Sequence, residues 1–83
     1  MKERISELVN DKIKDINVFV DDAFVSEEEG KKIFNIVLDS DEIIDLKRIT
    51  EASRIINKIM DEHIDLLDDA DELDIYSKEK GDN

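Results

Sequence analysis

Apolar positions along this chain fall into two periods, and the period changes three times. Ile5, Leu8, Val9 and Ile13 recur at i, i+3, i+4 and i+8, which predicts an amphipathic helix of about three turns. Lys12 and Lys14 sit near its end, where cations suit the helix dipole. From Ile16 the pattern alternates, with Ile16, Val18 and Val20 against Asn17 and Phe19, so a strand is expected there. Asp21-Asp22 interrupts it before Ala23-Phe24-Val25, so a bulge or bend is expected there. Ser26 to Lys31 reads as a hairpin loop in which Gly30 supplies the positive φ. A second strand is expected over Lys32 to Asp39, with Phe34, Ile36 and Leu38 on one face and Ile33, Asn35, Val37 and Asp39 on the other.

The helical period then returns. Asp45 is a good N-cap, and Leu46, Ile49, Ala52 or Ser53, Ile56, Ile59 and Met60 follow at three- and four-residue steps. This helix should end near Asp61 or Glu62, and a loop carrying Ile64 and Leu67 should tuck against the core edge. A last strand over Leu73 to Ser77 would point Leu73 and Ile75 inward and Asp74 and Tyr76 outward. The order is αββαβ. Neither helix can bury its stripe alone, and a three-stranded sheet has a face to cover. The expected fold is therefore a two-layer α+β domain with both helices packed on one face of the sheet. Leu8, Ile36, Leu38, Ile49, Ile56 and Ile75 are the expected core. Residues 1–77 make one domain, and residues 78–83 a polar tail expected to fray.

Charge narrows the partners. The chain has 24 acidic and 12 basic residues among 83, a formal net charge of −12. Residues 1–60 carry 14 acidic and 10 basic groups; residues 61–83 carry 10 and 2. Phosphate backbones and anionic lipid surfaces repel such a chain unless its cations cluster, so a basic protein is the better partner class. No apolar run is long enough to span a membrane, and the start, MKERISELVN, lacks the apolar stretch of a signal peptide. The absence of cysteine excludes disulfides, thiolate metal sites and cysteine nucleophiles, and suits a reducing cytoplasm.

The run Ile44-Asp45-Leu46-Lys47-Arg48-Ile49-Thr50-Glu51-Ala52-Ser53-Arg54, together with the αββαβ order and the hairpin, resembles the N-terminal domain of the ribosome maturation factor RimP family. The family's second strand is rich in valine or isoleucine and ends in aspartate, as Phe34-Asn35-Ile36-Val37-Leu38-Asp39 does here. A Ser-Arg pair inside its second helix is matched by Ser53-Arg54, and a closing Leu-Asp by Met60-Asp61. The likeness covers roughly residues 3–79. Two features depart from it: Lys78-Glu79 stands where the family has Pro-Gly after the last strand, and the family's SH3-like barrel domain lies outside these residues. The resemblance implies a cytoplasmic, non-enzymatic factor that assists maturation of the bacterial small ribosomal subunit by binding, without cofactor or small-molecule substrate. Its partners would be basic ribosomal proteins and ribosomal RNA.

Several residues carry rival meanings. Ser40 after Asp39 could hold the phosphopantetheine arm of an acyl-carrier-like protein, or simply start a turn after a strand. The acidic run that includes Asp61, Asp68, Asp69, Asp71 and Asp74 could greet a basic partner, as in a generic acidic interaction domain; for a calcium loop it lacks the glycine of the sharp turn. Arg54 and Lys58, at i and i+4, could form an RNA-contacting strip or pair with Glu51 and Asp61 on a solvated face. Tyr76 could anchor an interface or serve only as a strand former. His63 has no nucleophile arranged around it, and two distant glycines make no phosphate loop, so no catalytic set is expected. The candidate partner-binding residues are Arg54, Lys58, Asp68, Asp69 and Asp71.

Overall fold

The computed structural model describes residues 2–42, 44–67 and 70–78. Helix α1 (Lys2–Ile13) leads through a 3₁₀ turn (Lys14–Ile16) into β1 (Phe19–Glu28). Strand β2 (Lys31–Asp39) returns antiparallel to it, and α2 (Leu46–Glu62) and a second 3₁₀ turn (Ile64–Leu67) lead to β3 (Glu72–Ser77). The sheet order is β1-β2-β3, with β3 parallel to β2. The α+β fold with helices on one face is as the periodicities predict.

Ile5, Val9 and Ile13 of α1 are fully buried against Val18, Val20 and Ala23, against Phe34, Ile36 and Leu38, and against Ala52, Ile56, Ile59 and Met60 of α2. Asp45 caps α2 as expected: its Oδ1 accepts the Arg48 amide hydrogen at 2.9 Å, satisfying one of the amides left orphan at a helix start. The helix ends at Glu62, and the bulge falls between Val20 and Asp22.

Five expectations need correction. The first strand begins at Phe19 and not Ile16, because Asn17 adopts a left-handed conformation (φ 59°) that closes the 3₁₀ turn and donates to the Lys14 carbonyl. The hairpin loop shrinks to two residues: Glu28 pairs with Lys31, and Glu29 (φ 52°) and Gly30 (φ 82°) both take positive φ, the requirement of a type I′ connection. Leu8 and Ile49 are only half-buried, since burial on the helices centres on the 5–9–13 row of α1 and on Ala52, Ile56, Ile59 and Met60 of α2, and Ile75 is half-buried on the edge strand β3. Leu46, in the first turn of α2, is 78% exposed and lies outside the apolar stripe. Ile64 does not tuck inward either and is 71% exposed, whereas Leu67 packs on the core edge. Of the tail, Lys78 donates its amide hydrogen to the Leu38 carbonyl at 2.7 Å and so extends the sheet pairing; residues 79–83 lie outside the described residues.

Candidate binding surface

Both helices pack on the face of the sheet that carries Phe34, Ile36 and Leu38. Alternation therefore puts Asn35 and Val37 of the central strand on the opposite face, which no described element covers. They are nonetheless buried, at 6% and 8% exposure, because their cross-strand neighbours shield them. Two rows run across this open face. In one, Val37 lies between Asp22 of β1 and Tyr76 of β3; in the next, Asn35 lies between Phe24 of β1 and Asp74 of β3. Each outer strand thus carries an acid and an aromatic residue two positions apart, Asp22 with Phe24 and Asp74 with Tyr76, in opposite order across the sheet. Phe19, further along β1, lies on the same face. Phe19, Phe24 and Tyr76 are 40%, 41% and 36% exposed.

A hydrogen-bond network fixes the middle of this surface. The Asn35 amide nitrogen donates to Ser26 Oγ at 2.9 Å and to the Ile33 carbonyl at 3.1 Å, and Asn35 Oδ1 accepts from the Tyr76 hydroxyl at 3.2 Å. A buried amide left unpaired would be costly, so these bonds hold the ring of Tyr76 in place as well as satisfying Asn35. Partial burial pushes the Tyr76 phenol above its ordinary value, and the neighbouring carboxylates of Asp74 and Asp22 push it further. Ion pairs close two corners of the sheet: Lys31 with Glu72 at 3.6 Å and Lys78 with Asp21 at 3.7 Å. Asp22 and Asp74, beside the aromatic rings, form no ion pair with a described residue.

The residues singled out by sequence are placed elsewhere. Arg54 and Lys58 are exposed on α2 but open onto different depressions. Arg54 lies with Leu46, Lys47, Thr50 and Glu51; Lys58 faces Lys12 of α1 over Ile55 and Ile59. Neither pairs with Glu51, Asp61 or any other described acid. Arg48 is engaged by Glu42, whose hydrogen bond holds the guanidinium above its ordinary value. Asp71 is bound into the sheet. It donates its amide hydrogen to the Lys32 carbonyl at 2.8 Å, and its carboxylate accepts the Lys32 amide hydrogen at 2.9 Å, tying the entry of β3 to β2. Asp68 and Asp69 lie outside the described residues.

Ser40 is buried, and its hydroxyl donates to the Asn17 carbonyl at 2.6 Å, the environment of a turn residue and a poor one for a prosthetic arm. His63 caps the end of α2 and donates its amide hydrogen to the Met60 carbonyl. Among the described residues no three carboxylate or imidazole groups converge to hold a metal, and no helix is long and apolar enough to cross a membrane.

Tyr76 is the one member of the open face that the sequence alone marks as a possible interface anchor. The repeated Asp–apolar–aromatic triplets, Asp22-Ala23-Phe24 and Asp74-Ile75-Tyr76, are a further signal: in strands they put acid and ring on the same, outward face. No protein-family model matches the chain, and no curated protein matches it.

Proposed function

We propose that this domain works by binding, without catalysis, as a cytoplasmic factor in maturation of the small ribosomal subunit, the role implied by its resemblance to the RimP N-terminal domain. The observation that carries the reading is the chain order α1-β1-β2-α2-β3 with both helices on one side of the sheet, together with the places where the matched residues fall. Asp39 closes β2, and Ser53-Arg54 lies within α2, as the resemblance implies. The uncovered sheet face adds a surface suited to contact. The charge balance favours basic ribosomal proteins over naked RNA as the first contact, and electrostatic steering would speed the encounter. The test is co-sedimentation of the 83-residue chain with immature and mature small subunits. Binding to the immature particles that weakens with salt supports the reading. No association by a chain shown to be folded overturns it.

A further inference from the structure

We propose that the open face of the sheet is a docking surface for a protein segment bearing two arginine or lysine side chains about 10 Å apart, each seated on one of the acid–aromatic pairs Asp22/Phe24 and Asp74/Tyr76. The spacing follows from the sheet. The two pairs lie on β1 and β3, either side of β2, and neighbouring strands are about 4.8 Å apart. Within each pair the acid and the ring are two residues apart on one strand, about 7 Å. A guanidinium can therefore lie over the ring while its edge reaches the carboxylate, combining cation–π attraction with a charge-assisted hydrogen bond.

The floor between the pairs is already prepared. Val37 and Asn35 are buried, and Asn35 holds Tyr76 by its hydroxyl, so little ordering remains to be done on binding. The lysines at the corners, Lys31 and Lys78, are engaged by Glu72 and Asp21, which leaves the carboxylates of Asp22 and Asp74 as the charge that meets a partner. That charge decides the occupant. A second copy of this chain would bring its own Asp22 and Asp74 against the first, and a nucleic acid would bring phosphates against both. A cationic protein segment meets opposite charge at both positions.

The inference rests on the reading of a domain that acts by contact with a cationic protein, and narrows it to a surface. The experiment uses a short synthetic peptide of arginine, leucine and glycine, its citrulline counterpart, and an RNA oligonucleotide. Amide chemical shifts of the 83-residue chain and the fluorescence of its single tyrosine are followed. The arginine peptide should shift residues 22–26, 33–37 and 74–76, and binding should weaken about tenfold on raising NaCl from ~50 to ~300 mM. Asp22→Asn with Asp74→Asn should weaken it about tenfold, and Phe24→Thr about three- to tenfold. Arg54→Ala with Lys58→Ala should leave it unchanged.

Shifts confined to α2, equal binding of the citrulline peptide, preferential binding of RNA, or concentration-dependent self-association through this face would overturn the proposal. Should Phe24→Thr fail to fold, the wild-type shift map and the two aspartate variants, which keep shape and remove charge, still decide. The same variants separate this inference from the functional reading. If they sediment with immature subunits as the wild type does, the surface is wrong and the function stands. If the wild type binds the peptide here but never the subunits, the surface stands and the function does not.

Discussion

The Tyr76 hydroxyl donates to Asn35 Oδ1 at 3.2 Å, joining the outward side of β3 to the central strand. Removing the hydroxyl while keeping the ring isolates that bond. Tyr76→Phe should cost about 0.5–1.5 kcal/mol, read from the urea midpoint, because one acceptor loses its partner and Asn35 keeps its other bonds. A change indistinguishable from zero would mean that water replaces the hydroxyl without loss.

The same group makes stability depend on alkaline pH, and the sign is fixed by the direction of its shift. The folded state holds the Tyr76 proton more tightly than the unfolded chain does, whose value is about 10.0. Its contribution is therefore complete below about pH 10 and is lost as pH rises through the higher folded value. Stability should fall on that limb, and Tyr76→Phe should flatten the fall. Since the chain has one tyrosine and no tryptophan, the titration can be read directly by ultraviolet absorbance. A midpoint at or below the value of free tyrosine would contradict the prediction.

The hairpin offers a stabilising change. Glu29 takes a positive φ that Asn adopts more readily, and Asn-Gly is the preferred pair for a two-residue turn with both φ values positive. Glu29→Asn should raise stability by about 0.5–1 kcal/mol and also remove one negative charge. Gly30→Ala should do the reverse by about 1–2 kcal/mol, from backbone strain alone, since open space surrounds the place of the added methyl group. Denaturant midpoints of the two variants should move in opposite directions.

Much of this architecture is legible in the sequence because it rests on period and on caps. The apolar stripe of Ile5, Leu8, Val9 and Ile13, the alternation through β2 and the Asp45 cap each follow from local chemistry and each is present, with Leu8 at the half-buried edge of its stripe. What the sequence does not disclose depends on where elements meet. Leu46 fits the helical period, yet burial on α2 centres further along, from Ala52 to Met60. Ile16 fits the strand period, yet the left-handed Asn17 breaks the chain direction before pairing starts. Asp71 reads as surface charge, although its bonds to Lys32 arise across 39 residues of sequence. The open face is hidden for the same reason: Asp22 and Phe24 become neighbours of Tyr76 and Asp74 only once β3 joins β2, and Val37 is buried only by that assembly.

Asp71 and Arg54 should separate structural from surface roles. Asp71→Ala removes a charge-assisted bond to the Lys32 amide and should cost about 1–2 kcal/mol. Arg54→Ala, on an exposed side chain with no described ion pair, should stay within about 0.5 kcal/mol. Ile56→Ala, in the middle of the core, sets the upper scale at about 2–5 kcal/mol. Thermal or urea unfolding of the three variants gives the order directly; an Asp71→Ala variant as stable as wild type would return that residue to the surface class.

Salt should stabilise the free domain. With 24 acidic residues to 12 basic ones, at least half of the carboxylates have no cation of their own, and the described ion pairs are exposed ones whose attraction is small and screened. Repulsion among the remaining carboxylates therefore outweighs that attraction, and screening relieves it. The thermal midpoint should rise between about 10 mM and 500 mM NaCl, and magnesium and calcium should act alike at equal ionic strength. Asp22→Asn with Asp74→Asn should raise the low-salt midpoint and reduce its salt dependence, since these two carboxylates flank the half-buried Tyr76 without a lysine between them. A midpoint that falls with salt would mean that attractive pairs dominate. In that case the acids of the open face would cost the free domain nothing, and their neutralisation would leave its stability unchanged.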